Sequence, residues 1–197
     1  MTIVLILLGL VLLVGVIYIL MRNSIISSRN RVDESWSGID VQLKRRHDLV
    51  PNLVEAVKGY ATHEQKTFEN VTKARSQAMA AKDVQDTAQA ESALSAALGQ
   101  LRVVAEQYPD LRATENFQQL QGQLSQLEDE IQASRRIYNS NVQSYNTRIQ
   151  QFPMSIVANQ GGFTAREFFE IGDAAERETP QVDFSSTPPA QTPPAAS

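Results

Sequence analysis

The sequence predicts an all-α protein: one N-terminal transmembrane helix, then an elongated helical bundle, then a disordered tail. Three observations carry this. Thr2 to Met21 is 20 consecutive residues without a charge, dominated by Leu, Val and Ile. Beyond it, apolar residues recur at spacings of three and four along two long stretches. Only 7% of residues are aromatic, and Gly and Pro are sparse through the middle of the chain, a composition that favours long helices over sheet.

The apolar stretch comes first. At about 1.5 Å rise per residue, 20 helical residues span roughly 30 Å, the thickness of a bilayer's hydrocarbon core. No Lys or Arg precedes it, and Ile19-Leu20-Met21-Arg22 offers no small-x-small cleavage site, so it reads as an uncleaved signal anchor rather than a removable leader. Arg22, Arg29 and Arg31 follow the span within ten residues. The positive-inside rule then predicts a single-pass protein of the inner (cytoplasmic) membrane, N-terminus outside and domain in the cytoplasm. The reverse orientation would place the domain in the periplasm. Gly9 and Gly15 lie six apart and so do not form a GxxxG face. The predicted domains are an anchor over 1–22, a helical bundle over 23–175 and a Pro-rich tail over 176–197.

The first soluble stretch places Val32, Trp36, Ile39, Leu43, Val50, Leu53, Val57, Tyr60, Phe68 and Val71 on one seam, with Arg46 and Glu64 as polar members. No proline or glycine other than Gly38 separates Arg22 from Val50, so helix is expected to run from the membrane into the domain. Pro51 lacks a backbone donor, which predicts a kink or break there. Thr62-His63-Glu64-Gln65 is a possible capping box, so residues 32–80 read as one bent helix or two in series. Residues 80–85 lose the period and read as a connection, after which Asp86 or Thr87 is the expected N-cap. The helix that follows is expected to end at Pro109, with Asp110 to Ala113 as a turn.

The strongest soluble signal runs from Thr114, an expected N-cap. Phe117, Leu120, Leu124, Leu127, Ile131, Tyr138, Val142, Tyr145, Ile149 and Phe152 form a coiled-coil-like seam with one slip, uninterrupted until Pro153. After Gly161-Gly162, Thr164 and Glu167 read as a capping box with Phe163 and Phe168 as its hydrophobic staple. That pattern predicts a short helix over about Ala165 to Ile171, with Phe168 and Phe169 closing one end of the bundle. From Thr179 the chain holds five prolines among Ser, Thr, Ala and Gln and is expected to be disordered.

Composition bounds the chemistry. The 18 Lys and Arg against 22 Asp and Glu, a net charge of −4, lack the cation surplus that non-specific nucleic-acid binding uses. There is no cysteine, which removes disulfides, thiolate nucleophiles and Cys-type zinc sites. His47 and His63 match no metal-ligand spacing, and Glu128-Asp129-Glu130 points in different directions around a helix. No catalytic, metal or cofactor residues are expected. The candidate contacts are structural or partner-binding. Tyr138-Asn139 is echoed one heptad later by Tyr145-Asn146, after Arg135-Arg136. Asn is a poor helix former, so two at equivalent positions imply hydrogen-bonding work. That work is either a buried polar network, with Arg46, His47 or Glu64 facing it, or a ligand or partner groove.

Several segments in combination resemble the LemA family. They are the N-terminal span, Arg45-Arg46-His47-Asp48-Leu49-Val50-Pro51-Asn52-Leu53, Tyr108-Pro109-Asp110-Leu111, Arg135 through Tyr138-Asn139 to Tyr145-Asn146, Phe152-Pro153, and Pro180-Gln181-Val182-Asp183-Phe184. The resemblance covers about residues 1–184. It implies an antiparallel bundle of about four helices on one membrane anchor, N-terminus outside, with no established catalytic activity. The candidate structural or partner contacts are Trp36, Arg46, Pro51, Asn52, Arg135, Tyr138, Asn139, Tyr145 and Asn146, beside the membrane-proximal Arg22, Arg29 and Arg31. A divergent relative in magnetotactic bacteria is associated with internal membrane compartments, which points to membrane organisation. The expected role is a non-enzymatic scaffold whose partners are the lipid bilayer, proteins or further copies of itself. Direct membrane remodelling, or a sensor or accessory subunit with a ligand between its helices, are the competing expectations.

Overall fold

Residues 1–170 are described by a computed structural model of the chain; the Pro-rich tail and the last residue of the expected 165–171 helix lie outside them. Six helices and no strand occur among the described residues. Helix α1 (Thr2–Lys58) is unbroken for 57 residues, from the apolar stretch into the soluble domain. Its residues 2–20 are all exposed, Leu5 and Ile6 by more than 60%, and Met21 is the first to pack against the bundle. So much exposed Leu, Ile and Val has no place in water, and the helix is long and apolar enough to cross a membrane.

Pro51 neither ends nor interrupts α1. A helical proline leaves the carbonyl four residues earlier without its donor. That carbonyl belongs to His47, and Arg75 of α2 (Gln65–Ala80) donates to it through Nε at 2.7 Å. The break falls instead at Gly59, so residues 32–80 form two helices. Glu64 precedes α2 without a side-chain cap, and the Thr62 capping box does not form.

Helix α3 (Val84–Glu106) begins at Asp83, not Asp86 or Thr87; the Asp83 carboxylate accepts the N–H of Asp86 at 2.7 Å. Pro109 opens a further short helix, α4 (Pro109–Ala113), where a turn was expected. Proline at the first helical position loses nothing, because that N–H has no intrahelical partner. Helix α5 (Glu115–Gln150) carries the long seam, with Thr114 before it as expected, and α6 (Met154–Gln160) follows a turn.

The bundle has two cores along its length. The core far from the apolar span joins α1, α2, α3, α4 and the first half of α5, around Val57, Val71, Leu94, Leu101, Leu111 and Phe117. The core near the span is built mainly by α1, the second half of α5, α6 and the segment after it, around Ile25, Ile39, Val142, Tyr145 and Phe169. α1 and α5 run antiparallel, in one register from Ser24 to Arg31 and drifting by three residues towards Arg45. Arg148 meets Ser24, Asn141 meets the Arg31 carbonyl, Tyr138 stacks on Trp36 and Glu130 pairs with Arg45. Two helices alone leave an open side. The chain closes it with residues 163–170.

Candidate functional site

Residues 163–170 are extended and non-helical, so the expected helix over 165–171 does not form here. The Thr164–Glu167 capping box is overridden because its backbone groups are engaged elsewhere. Asn139 donates through Nδ2 to the Phe169 carbonyl at 3.1 Å and accepts the Phe169 N–H at 2.9 Å. Asn146 does the same for Arg166, at 2.9 and 2.8 Å. Tyr138 donates to the Glu167 carbonyl at 2.9 Å, and Tyr145 to the Thr164 carbonyl at 3.1 Å. A helix of seven residues has little stability of its own; six hydrogen bonds from a rigid α5 prevail.

The two periods match. One heptad on α5 advances about 10.5 Å. The bonded backbone groups recur every three residues, 164 to 167 and 166 to 169, and three residues of extended chain rise about 9–10 Å. The repeated Tyr-Asn pair therefore grips an extended chain at two successive three-residue steps, running antiparallel to α5. The six bonds hold backbone groups, and the side chains of 164–168 are exposed.

Side chains at either end seat the segment. Phe169 is fully buried, edge-on to Trp36 at 5.3 Å between centroids, with the Arg135 guanidinium 5.8 Å from its own ring centre. Arg166 pairs with Asp33 at 2.9 Å, and Arg29 lies over Phe163. Phe168 is 41% exposed, so neither the staple nor the expected end-closing pair forms; Phe169 seals the side. Burial pushes the phenols of Tyr138 and Tyr145 above their ordinary value, a rise the Arg166 cation opposes, and it lowers Arg135.

Arg46 and His47, expected opposite the asparagines, serve a different cluster. Glu91 of α3 is fully buried between them, 3.4 Å from Arg46 Nη1 and 2.6 Å from His47 Nε2. Arg46 also donates to Ser95 at 2.7 Å and reaches Glu128 at 3.7 Å. This cluster sits where the two cores meet. Glu91 is the buried charged residue that sequence reasoning missed, since a lone Glu in an Ala-rich helix looks like a solvated one. Beside the cluster a cavity of about 700 Å³ lies between α1, α3 and α5, with Arg46, Leu53, Leu98 and Phe117 among its walls. Asn52 is exposed and joins neither group, as does Arg22; Arg31 contributes only its carbonyl. Among the described residues no group of three or more His, Asp or Glu side chains is placed to hold a metal.

A membrane-type apolar helix extended into an antiparallel helical bundle, with its open side closed by a clamped extended segment, defines the class of protein. Comparison with known proteins supplies the family. The model of the LemA family matches residues 35–184, and the chain belongs to that family. Protein LemA of Metamycoplasma hominis is 30% identical over 171 residues, covering 86% of this chain and 76% of that protein. Magnetosome protein MamQ 2 of Paramagnetospirillum magneticum is 26% identical over 193 residues, covering 83% and 71%. Magnetosome protein MamQ of Magnetospirillum gryphiswaldense is 25% identical over the same shares.

Proposed function

We propose that this protein is a non-enzymatic, membrane-anchored helical scaffold that assembles with protein partners or with further copies of itself and organises the membrane around it. One observation carries the reading: α1 runs without a break from the apolar span into both cores. A tether would need only a flexible joint. A continuous helix braced by the clamp at Arg29, Asp33 and Trp36 transmits direction, so the bundle stands at a set angle to the bilayer. The likeness to proteins named as magnetosome proteins supports a part in membrane organisation, and the basic residues after the span favour a cytoplasmic domain.

The test is proximity crosslinking in intact membranes, which is expected to recover the chain joined to itself or to a defined set of proteins. Recovery only as an unpartnered monomer would overturn the proposal. Inserting Gly-Gly after Asn30 is expected to abolish the crosslinks while leaving membrane insertion intact. A reporter fused after Ser197 reads the orientation.

A second reading, a sensor or accessory subunit with a bound ligand, is favoured by the cavity beside Arg46. The Tyr-Asn pairs that first suggested a ligand groove hold the chain's own segment. The cavity is independent of them, and Arg46 Nε is buried beside it without an acceptor among the described residues. A thermal-shift screen in which ligand-induced stabilisation disappears in Arg46→Met would support this reading over the first.

A further inference from the structure

Phe152 continues the α5 seam in sequence, four residues after Arg148, yet its side chain is 83% exposed, the most exposed aromatic among the described residues. Ile156 on α6 is 51% exposed beside it in sequence. Isolated apolar residues at a surface are ordinary. Their height is not.

The register between α1 and α5 gives that height. Asn141 lies against Arg31 and Arg148 against Ser24, so seven residues along one helix match seven along the other. Carried to Gln150, where α5 ends, the register reaches the level of Arg22, so the turn that holds Phe152 begins within two residues of Leu20. Leu20 belongs to the apolar stretch that ends at Met21. The turn from α5 to α6 therefore lies at the edge of the hydrocarbon core, if α1 spans the bilayer as read above. Even Ile25, which shares the near-span core with Val157 and Ala158 of α6, is only about 6 Å beyond Met21. The headgroup layer itself is roughly 5–8 Å deep.

Charge points the same way. The chain carries a net −4, but residues 1–32 and 131–166 contain no Asp or Glu. Arg22, Arg29, Arg31 and Arg148 all lie there. The base of the bundle is thus apolar at its tip and exclusively cationic around it, the pattern of a surface that meets anionic headgroups with aromatic residues dipped into the acyl boundary.

We propose that the α5–α6 turn is a second membrane contact: Phe152, flanked by Ile156, inserts into the interface beside the transmembrane helix, and the arginines of the base bind anionic headgroups. The bundle then rests on the bilayer at two points. The span fixes its position, and the foot fixes its tilt and rotation. This rests on the reading of Thr2–Met21 as a bilayer span, and the experiment separates the two.

The chain has no cysteine, so Phe152→Cys carries a single thiol for an environment-sensitive fluorophore. The full chain would be reconstituted in vesicles of three parts phosphatidylcholine to one part phosphatidylglycerol. Ile156→Cys is a second reporter of the foot. Ile137→Cys is the control, equally apolar and 59% exposed but level with residue 35, about 20 Å above the membrane edge. Labels at 152 and 156 are expected to emit at shorter wavelength than the label at 137. Lipids bearing a shallow nitroxide should quench them severalfold more strongly, and aqueous iodide more weakly. The difference is expected to shrink in pure phosphatidylcholine. Labels at 152 and 156 that behave like the one at 137, in protein that resists carbonate extraction, would overturn the foot and leave the span standing. A label shielded from both quenchers would show that protein covers the turn, and would overturn it too. Protein released by carbonate would overturn the span and the foot together.

Discussion

Asn139 and Asn146 hold chemically identical backbone groups but in different surroundings, and this sets unequal consequences for their loss. Phe169 is fully buried, so Asn139→Ala strands a buried N–H and C=O and is expected to cost about 2–3 kcal/mol. Arg166 is exposed, and water replaces the amide in Asn146→Ala, at a cost below about 1 kcal/mol. Urea unfolding of the full chain in detergent measures both. Asn139→Asp keeps the acceptor and loses the donor, and should fall between wild type and Asn139→Ala. The tyrosines add a pH dependence. Their phenols donate only when protonated, and burial raises them above their ordinary 10.0. Protons are then held more tightly in the folded state, so this stability is complete below about pH 10 and is lost as pH rises through the folded-state values. Absorbance titration near 295 nm is expected to show a late-ionising component that disappears in Tyr138→Phe with Tyr145→Phe, and protection of residues 163–170 from hydrogen exchange should fall over the same range.

Among the elements, α1 shows how a locally unfavourable residue is accommodated at long range. Arg75→Met removes the donor to the His47 carbonyl and is expected to destabilise by about 1–3 kcal/mol. Adding Pro51→Ala restores an N–H four residues on, so the double variant should recover most of the loss in a denaturation series. A null effect of Pro51→Ala in the Arg75→Met background would refute the account. The same comparison marks what sequence reveals. Long periodic elements were legible: the span, the α1 seam and the α5 seam are set by hydrophobic spacing, which belongs to the chain itself. The Thr164–Glu167 box misled, because its outcome depends on the tyrosines and asparagines of α5, far away in sequence; of the kink or break expected at Pro51 the break does not occur, and Arg75 takes the freed carbonyl. α6 was missed since seven residues are too few to show a period. The Tyr-Asn repeat announced hydrogen-bonding work, but its object, an extended segment of the same chain, could be seen only once the fold brought the two together.

Across the whole molecule, Glu91 is the joint between the two cores. It is fully buried with Arg46 and His47 against it, so Glu91→Ala leaves the buried guanidinium with only the half-exposed Glu128 and Ser95 and is expected to cost about 3 kcal/mol. Glu91→Leu with Arg46→Met, which replaces the pair by packed apolar groups, should restore much of that stability while changing the walls of the neighbouring cavity. Deleting the buried ring by Phe169→Ala is expected to cost about 3–5 kcal/mol and to unfasten the membrane-side core first, visible as enhanced exchange in residues 138–149 before 94–105. The extended segment has one more consequence. Because its backbone is pinned step by step against α5, it works as a ruler: Phe169 is held level with Trp36, fifteen residues beyond Met21, about 22 Å above the bilayer edge. The described chain thus ends at a fixed altitude on the bundle's flank. Removing three residues, one step of the segment, would lower that end by about 9 Å.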